Sequence, residues 1–124
     1  EALLELTIDY LKTRRQFDRP LALFQALKHR VADLKTRLVA AQALFWARSG
    51  DEAASVLDLA ALKVHACRVA LDIAEESIQL HGGIGLTSEY YCHLFQKRAF
   101  LNAALGGDAD FWEELVGRAA LSKR

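Results

Sequence analysis

A chain of 124 residues is long enough for one domain that buries about two-thirds of the surface its unfolded form would expose. Apolar residues make up 52% and charged residues 26%, and sixteen Lys and Arg offset sixteen Asp and Glu, a balance that disfavours disorder and nucleic-acid binding. The chain has two cysteines, and they lack Cys-x-x-Cys spacing, which argues against a disulfide framework and a zinc site. It also has no apolar run of about 20 residues, which argues against a membrane span. We expect a cytoplasmic domain covering residues 1–124.

Proline and glycine divide the sequence into helical segments. The one proline is Pro20, and the other breaks are Gly50, residues 82–85 and residues 106–107. These breaks predict an all-α fold, an up-down four-helix bundle with a short additional helix at the carboxy terminus. The first residues already follow a helical pattern and no Met precedes them, so we interpret the chain as part of a longer polypeptide.

The end of the first helix carries a cluster of cations: Lys12, Arg14, Arg15 and Arg19. Residues 1–50 hold nine Lys and Arg against five Asp and Glu, so this part of the chain is the expected place for an anionic ligand. Cations also stabilise the carboxy-terminal end of a helix through its dipole. A diphosphate contact is the other interpretation, because a guanidinium can donate to two phosphate oxygens at once. Composition alone leaves both open.

Two long helices are predicted in the middle of the chain. The second has apolar residues in steps of three and four, which predicts a seam packed on other helices. The seam residues are Leu27, Val31, Leu34, Leu38, Ala41 and Phe45. The third, over about residues 52–80, confines its polar residues to one narrow line, so we expect it to be surrounded by other helices or another subunit. Lys63 lies off that line and is expected to reach solvent or pair with a carboxylate.

A glycine-rich stretch, Gln79-Leu80-His81-Gly82-Gly83-Ile84-Gly85, ends the third helix. It is typical of a left-handed cap with a sharp turn, and it is not the dinucleotide fingerprint, which follows a strand. Thr87 or Ser88 is expected to cap the fourth helix, and Asp108 the last one. The four histidines lack the spacing of zinc or di-iron ligands, so we expect structural or solvent-exposed roles for them and no metal site.

Two sequence blocks together resemble the carboxy-terminal helical domain of the acyl-CoA dehydrogenases, flavoenzymes that oxidise acyl-CoA thioesters between Cα and Cβ. One is Arg14-Arg15-Gln16-Phe17-Asp18-Arg19-Pro20 with Phe24-Gln25, and the other is the glycine-rich stretch. The resemblance implies FAD as cofactor, acyl-CoA as substrate of the whole protein, and a homo- or hetero-oligomer, a dimer or tetramer. In that oligomer, the resemblance implies that this domain contributes to the subunit interface and to the flavin site of a neighbouring subunit. The isolated chain is expected to be inactive.

The resemblance also assigns residues to the cofactor, with Arg14 at the FAD diphosphate. The other implied contacts are Gln16, Phe17, Leu21, Phe24, Gln25, Gln79, Leu80, Gly82 and Gly83. The family usually has Gly after the Phe, whereas this chain has Asp18, which can enter the conformations that Gly tolerates. Its negative charge is unfavourable beside a phosphate unless a cation such as Arg19 offsets it.

The family's usual catalytic base is replaced. Where the family most often reads Glu-Gly-Thr, this chain reads Gly106-Gly107-Asp108, so Gly106 stands at the glutamate position. Arg98 likewise stands where an Asp is common. Asp108 is a weak candidate for the base, since a helix-capping role accounts better for it, and Asp110 is the other nearby carboxylate. We assign no catalytic residue in this chain.

Several interpretations of the missing base remain open. Some family branches carry the base on the helix corresponding to the first one here, upstream of Glu1. Alternatively, the parent protein is a partner subunit of a heteromeric dehydrogenase, as in actinobacterial branches acting on steroid or cholesterol-derived CoA esters, which the Gly-Gly-Asp-Ala-Asp sequence resembles. A third interpretation is that the protein is not an enzyme but a non-catalytic helical scaffold, which Asp18, Arg98 and Gly106 favour. A bundle unrelated to flavin would leave the two blocks coincidental.

Overall fold

The computed structural model describes residues 1–122 and confirms the all-α fold. Its helices are α1 (Ala2–Thr13), α2 (Gln25–Ser49), α3 (Val56–His81), α4 (Cys92–Ala104) and α5 (Ala109–Ser122). A two-residue antiparallel hairpin, β1 (Arg15–Gln16) with β2 (Arg19–Pro20), follows α1, and 3₁₀ turns cover Leu21–Leu23 and Gly82–Leu86. The last helix, predicted to be short, has 14 residues and is slightly longer than α4 with 13.

Helix α3 is the centre of the bundle, as its sequence pattern predicts. It contacts α1, α2, α4 and α5, and its buried side chains face them on several sides. Ser55 begins the helix with a capping box, in which its hydroxyl accepts from the amide of Asp58 and the Asp58 carboxylate accepts from the amide of Ser55. This reciprocal cap fixes the start of α3 a few residues later than predicted.

The core lies where α1, α2 and α4 meet α3. Its buried apolar residues are Leu3, Leu4, Leu11, Leu34, Leu38, Ala41, Val69, Ile73, Ala74, Leu80, Cys92 and Ala99. The seam predicted for α2 is correct in its middle and wrong at its end, because the Phe45 side chain is 47% exposed. Glu1 contacts Gln42 and Lys35, so α1 begins opposite the middle of α2 and does not cover its last turns.

Ion pairs tie the outer faces of α2 and α3 together. Arg30 donates to the Glu76 carboxylate at 2.5 Å, and Arg37 lies between Asp72 at 3.0 Å and Asp33 at 2.9 Å. All five side chains are more than a third exposed, so each pair contributes on the order of 0.5 kcal/mol or less. Apolar burial therefore holds the two helices together, and the ion pairs set their alignment.

The predicted caps of the last two helices have different outcomes. The prediction of Thr87 or Ser88 as the cap of α4 is wrong, because that helix begins at Cys92 and has no side-chain cap. The Thr87 hydroxyl instead donates to the backbone carbonyl three residues before it, at 2.8 Å. The prediction for α5 is confirmed, since the Asp108 carboxylate accepts from the amide of Phe111 at 2.9 Å.

The described part of the chain has neither a membrane-spanning helix nor a group of metal-binding side chains. No helix within residues 1–122 is long and apolar enough to cross a bilayer. In the same part of the chain, no three His, Cys, Asp or Glu side chains are grouped so that they could hold a metal ion. Cys67 is half-buried, Cys92 is fully buried, and both are free thiols.

Candidate cofactor-binding site

A cleft of about 340 Å³ lies between the end of α1 and the end of α3. It brings together Arg14 from the first sequence block and Gly83 from the second, although 68 residues separate them along the chain. The remaining lining residues are Tyr10, Thr13, His81, Ile84 and Tyr90. The two blocks that are distant in sequence therefore form one surface.

Arg14 is the available cation of this cleft. It ends α1 with an extended backbone, and its amide donates to the Tyr10 carbonyl at 2.8 Å. Within residues 1–122 its exposed guanidinium has no ion pair or hydrogen bond. By contrast, Arg15 donates to the Asp18 carbonyl at 2.5 Å, and Arg19 lies over the Phe24 ring at 4.0 Å. Arg14 is thus free to bind an anion from outside the chain.

Of the two adjacent glycines at the end of α3, one is needed for its backbone conformation and the other is not. Gly82 has φ +67°, a conformation that other residues rarely adopt, and so terminates the helix as predicted. Gly83 has no such backbone requirement, and a Cβ added to it would meet nothing within 4 Å. Nothing in the described chain explains the absence of a side chain at Gly83, whereas a group approaching from outside would.

A stack of aromatic rings forms the floor of the cleft. Tyr10 stacks on His81 with ring centroids 4.3 Å apart, its hydroxyl donates to the His81 carbonyl, and Tyr90 packs edge-on at 5.4 Å. The His81 ring is 4% exposed and lies 2.7 Å from the Ser77 carbonyl, which agrees with the structural role predicted for it. Tyr10 was not predicted from the sequence; it lies in the last turn of α1, and its carbonyl accepts from the Arg14 amide that follows the helix.

Cys92 packs beneath this stack, with its sulfur 3.5 Å from Nδ1 of His81. The side chain is fully buried, and this burial raises the pKa of the thiol above its ordinary value of 9.0. The neutral thiol is therefore the form that the folded state favours, and the arrangement does not resemble an activated nucleophile.

The raised pKa predicts a loss of stability at high pH. Above about pH 9 the unfolded chain releases the Cys92 proton while the folded chain retains it, so the free energy of unfolding falls as pH rises. Urea unfolding at pH 7, 8, 9 and 10 measures this slope. We expect Cys92→Ala to be less stable at neutral pH but to have a shallower decline above pH 9. An equal slope in both proteins would contradict the prediction.

The hairpin after α1 turns through Phe17 and Asp18, which have φ +51° and +61°. Two consecutive positive φ values are typical of a two-residue type I′ turn, which glycine and asparagine favour. The prediction that Asp18 enters a glycine-like conformation is confirmed. Phe17 is 86% exposed at the tip, and its ring packs edge-on against Phe24 at 6.1 Å.

Replacing Asp18 by glycine is expected to stabilise the chain. Glycine adopts positive φ without the steric penalty of a Cβ, which offsets its larger loss of backbone entropy on folding. We expect Asp18→Gly to raise the free energy of unfolding by about 0.5–1 kcal/mol, measured by urea denaturation. Asp51→Gly, at a half-buried position without a positive φ where the carboxylate accepts from Arg48 and from the Ala53 amide, is the control and is expected to lower it.

The other residues assigned to the cofactor lie at different depths. Gln16, Gln25 and Gln79 are exposed, and Leu21 and Phe24 are half-buried beside the hairpin. Leu80 belongs to the core with 6% exposure, so its side chain faces the bundle and only its backbone remains for a contact outside the chain. The hairpin and the cleft therefore form two neighbouring parts of the candidate site, joined by Arg14.

The turn between α4 and α5 has no carboxylate at the position of the family's usual base. Gly106 has φ +71°, and a Cβ added there would meet nothing within 4 Å. Gly107 has φ +102° and lies under Trp112, with no room for a Cβ. The one carboxylate of the turn, Asp108, is used as the cap of α5.

Comparison with known proteins identifies the family of this chain. The family model of the acyl-CoA dehydrogenase C-terminal domain matches residues 1–121. The chain is 43% identical over 105 residues to acyl-CoA dehydrogenase IpdE2 of Mycobacterium tuberculosis, covering 85% of this chain and 32% of that protein.

Two solved structures of dehydrogenases show the same fold. Butyryl-CoA dehydrogenase from Megasphaera elsdenii superposes with a TM-score of 0.90 at 28% identity, covering 97% of this chain and 32% of that one. A glutaryl-CoA dehydrogenase from Mycobacterium smegmatis in complex with FADH2 has a TM-score of 0.90 at 26% identity, covering 98% and 32%. This chain thus spans about a third of the length of its relatives. It belongs to the acyl-CoA dehydrogenase family, as the carboxy-terminal helical domain.

Proposed function

We propose that this domain serves an FAD-dependent acyl-CoA dehydrogenase by contributing contacts to a flavin bound mainly by a neighbouring subunit. The observation that carries the proposal is the pairing of Arg14, a cation without a partner in the described chain, with Gly83, a glycine that the chain itself does not require. A diphosphate crossing the cleft would account for both. FAD therefore fits the residues present.

Each part of the candidate site has a task in this proposal. Arg14 donates to the diphosphate, and the exposed backbone of Gly82 and Gly83 lets the adenosine half approach closely. Phe17 places an exposed ring at the hairpin tip, a position suited to packing against a group outside the chain. When bound, FAD supplies the chemistry by accepting hydride from the acyl group.

In this proposal, the positive charge of Arg19 offsets the unfavourable negative charge of Asp18. The guanidinium lies 4.0 Å from the Phe24 ring centroid and adjoins the turn that carries Asp18, so a cation accompanies the carboxylate on the hairpin. The hairpin as a whole, from Arg14 to Arg19, bears three arginines against one aspartate. Its net positive charge favours an anionic cofactor in spite of Asp18.

An oligomer is part of the proposed function. Many large apolar side chains remain exposed on the isolated domain, among them Trp46 at 73% and Phe100 at 52%. A groove of about 460 Å³ between α1, α2, α3 and α4 is also mostly apolar, with Phe45 and Phe95 in its walls. Surfaces of this kind mark protein interfaces, which in this proposal belong to the remainder of the enzyme and to neighbouring subunits in the cytoplasm.

The catalytic base of the proposed reaction lies outside residues 1–122. Gly106 has no side chain that could remove a proton, and Asp108 is occupied as a helix cap. The base therefore comes from another part of the same polypeptide or from a partner subunit. In the second case the assembly is heteromeric.

The direct test is flavin reduction in the protein that carries this domain. The protein is purified alone and with any co-purifying partner, and each preparation is mixed anaerobically with butyryl-CoA, isobutyryl-CoA, glutaryl-CoA and a cholesterol-derived acyl-CoA. Bound flavin that bleaches in the single-chain preparation supports a self-sufficient enzyme, and bleaching only with the partner supports the heteromeric one. Absence of flavin from every preparation would overturn the proposal and favour the helical scaffold, to which the missing carboxylate at Gly106 also points.

A further inference from the structure

We infer that Lys63 is a positioning residue for the turn between α4 and α5, the place where the family most often carries its base. The inference rests on the proposed function, and it takes this turn to border the acyl group because the resemblance places the family's usual base here. The sequence led us to expect Lys63 to reach solvent or to pair with a carboxylate. Its Nζ instead donates to two backbone carbonyls at the end of α4, those of Asn102 at 2.5 Å and Leu105 at 2.9 Å.

These two bonds stabilise the end of α4, where the Leu105 amide also donates to the Leu101 carbonyl and the Cys67 thiol makes a longer contact, 3.7 Å, with the Asn102 carbonyl. The last carbonyls of a helix lack partners within the helix and carry the negative end of its dipole. An ammonium group satisfies them with charge-assisted hydrogen bonds. Because Lys63 belongs to α3, the two bonds tie the end of α4 to the central helix of the bundle.

A second side chain holds the same turn from the opposite direction. The indole of Trp112 on α5 donates to the Gly106 carbonyl at 3.0 Å, and the same ring covers Gly107. Two successive glycines with positive φ would otherwise give this turn wide conformational freedom. Lys63 and Trp112 together therefore supply a rigidity that the turn's own sequence lacks.

The rigid turn matters because of what lies beside residue 106. The space where a Cβ of Gly106 would project is open, so an acyl group can approach the backbone there. Small displacements of the groups around reacting atoms reduce rates strongly. Lys63 thus sets the wall of the reaction cavity even though this chain supplies no base.

The test compares Lys63→Met with a matched control, Arg68→Met. Arg68 is also a cation of α3, but its guanidinium pairs with the Glu113 carboxylate on α5, and within residues 1–122 it donates to no carbonyl at the end of α4. The first readout is amide hydrogen exchange in the last turn of α4, at residues 102–105 in this chain. The second is anaerobic flavin reduction in the protein that carries the domain, using the acyl-CoA ester that bleaches its flavin. Lys63→Gln is made in parallel in case Lys63→Met does not fold.

In Lys63→Met we expect exchange at residues 102–105 to accelerate by about tenfold or more, and kcat to fall by about tenfold or more. Flavin content is expected to stay unchanged, and KM is expected to stay within about threefold. A general loss of folding would instead lower the flavin content. Lys63→Gln is expected to lie between Lys63→Met and the unmodified protein, because its amide can reach one carbonyl. Arg68→Met is expected to leave both readouts unchanged.

Three outcomes would overturn the inference. If the unmodified protein reduces its flavin and Lys63→Met does so equally well, or if Arg68→Met causes the same losses, Lys63 has no positioning role and the proposed function still stands. If no acyl-CoA reduces the flavin of the unmodified protein, the proposed function fails and the inference fails with it.

Discussion

Replacing Gly85 by alanine is expected to lower the free energy of unfolding by about 3 kcal/mol, near the upper end of what overpacking costs. Gly85 is buried against the last turns of α3. A Cβ there would lie 2.9 Å from the Ile78 carbonyl oxygen and 2.9 Å from the Cβ of His81, both closer than real contacts allow. Neither atom is the end of a flexible side chain, so the 3₁₀ turn after α3 must shift. Urea denaturation measures the effect.

Gly83→Ala is the matched control for this prediction. It adds the same methyl group two residues earlier, where a Cβ meets nothing within 4 Å and the backbone needs no glycine. Its free energy of unfolding is expected to stay within about 0.5 kcal/mol of the unmodified chain. Equal destabilisation by both variants would mean that the turn is intolerant of alanine in general, and that the close approach of Gly85 to α3 is not the cause.

Replacing Arg14 by glutamine is expected to weaken FAD binding by about 100-fold in the protein that carries this domain, equivalent to about 2.7 kcal/mol. The physical reason is the loss of charge-assisted hydrogen bonds to the diphosphate. The same variant is expected to leave the free energy of unfolding within about 0.5 kcal/mol, because the Arg14 guanidinium has no partner within residues 1–122. Titration of the apoprotein with FAD measures the first quantity, and urea denaturation the second.

Lys12→Gln controls for the general loss of positive charge near the cleft. Lys12 is two residues earlier on the same helix and pairs with Asp9 at 3.3 Å on the exposed surface. We expect its Kd for FAD to change by no more than about twofold. If Lys12→Gln weakens binding as much as Arg14→Gln does, the effect is long-range electrostatics, and the assignment of Arg14 to the diphosphate is wrong. The comparison at low and high salt separates the two cases further.

Local signals in the sequence were sufficient for the helices and for one of the caps. Asp108 was identified as the cap of α5 because it immediately precedes a helical pattern and is of the residue type that capping needs. Thr87 and Ser88 have the same chemistry but do not cap α4, since the chain continues through a 3₁₀ turn and an irregular segment before Cys92. The glycine-rich stretch forms that turn by packing Gly85 onto α3, a contact that no local pattern reports.

Sequence motifs predicted the candidate site only in part. Arg14, Phe17 and Gly83 were recognisable from their motifs, whereas Tyr10 and Tyr90 have no motif and were identified only from the cleft they line. Leu80 falls inside the glycine-rich motif, yet its side chain is in the core. Motif membership did not reveal which way a side chain points, because that depends on the helix face and its neighbours.

By itself, then, the sequence determined the helical class, the central place of α3 and the family, because periodicity and motifs are properties of residue order. Only the tertiary structure decided that Arg14 lies across a cleft from Gly83, that Lys63 donates to the end of α4, and that Gly85 packs against α3. The first two features join residues far apart in the chain, and they arise from the packing of whole helices, which fixes distances that local sequence does not encode. The third joins a turn to the helix end a few residues before it, through a three-dimensional path that residue order alone does not specify.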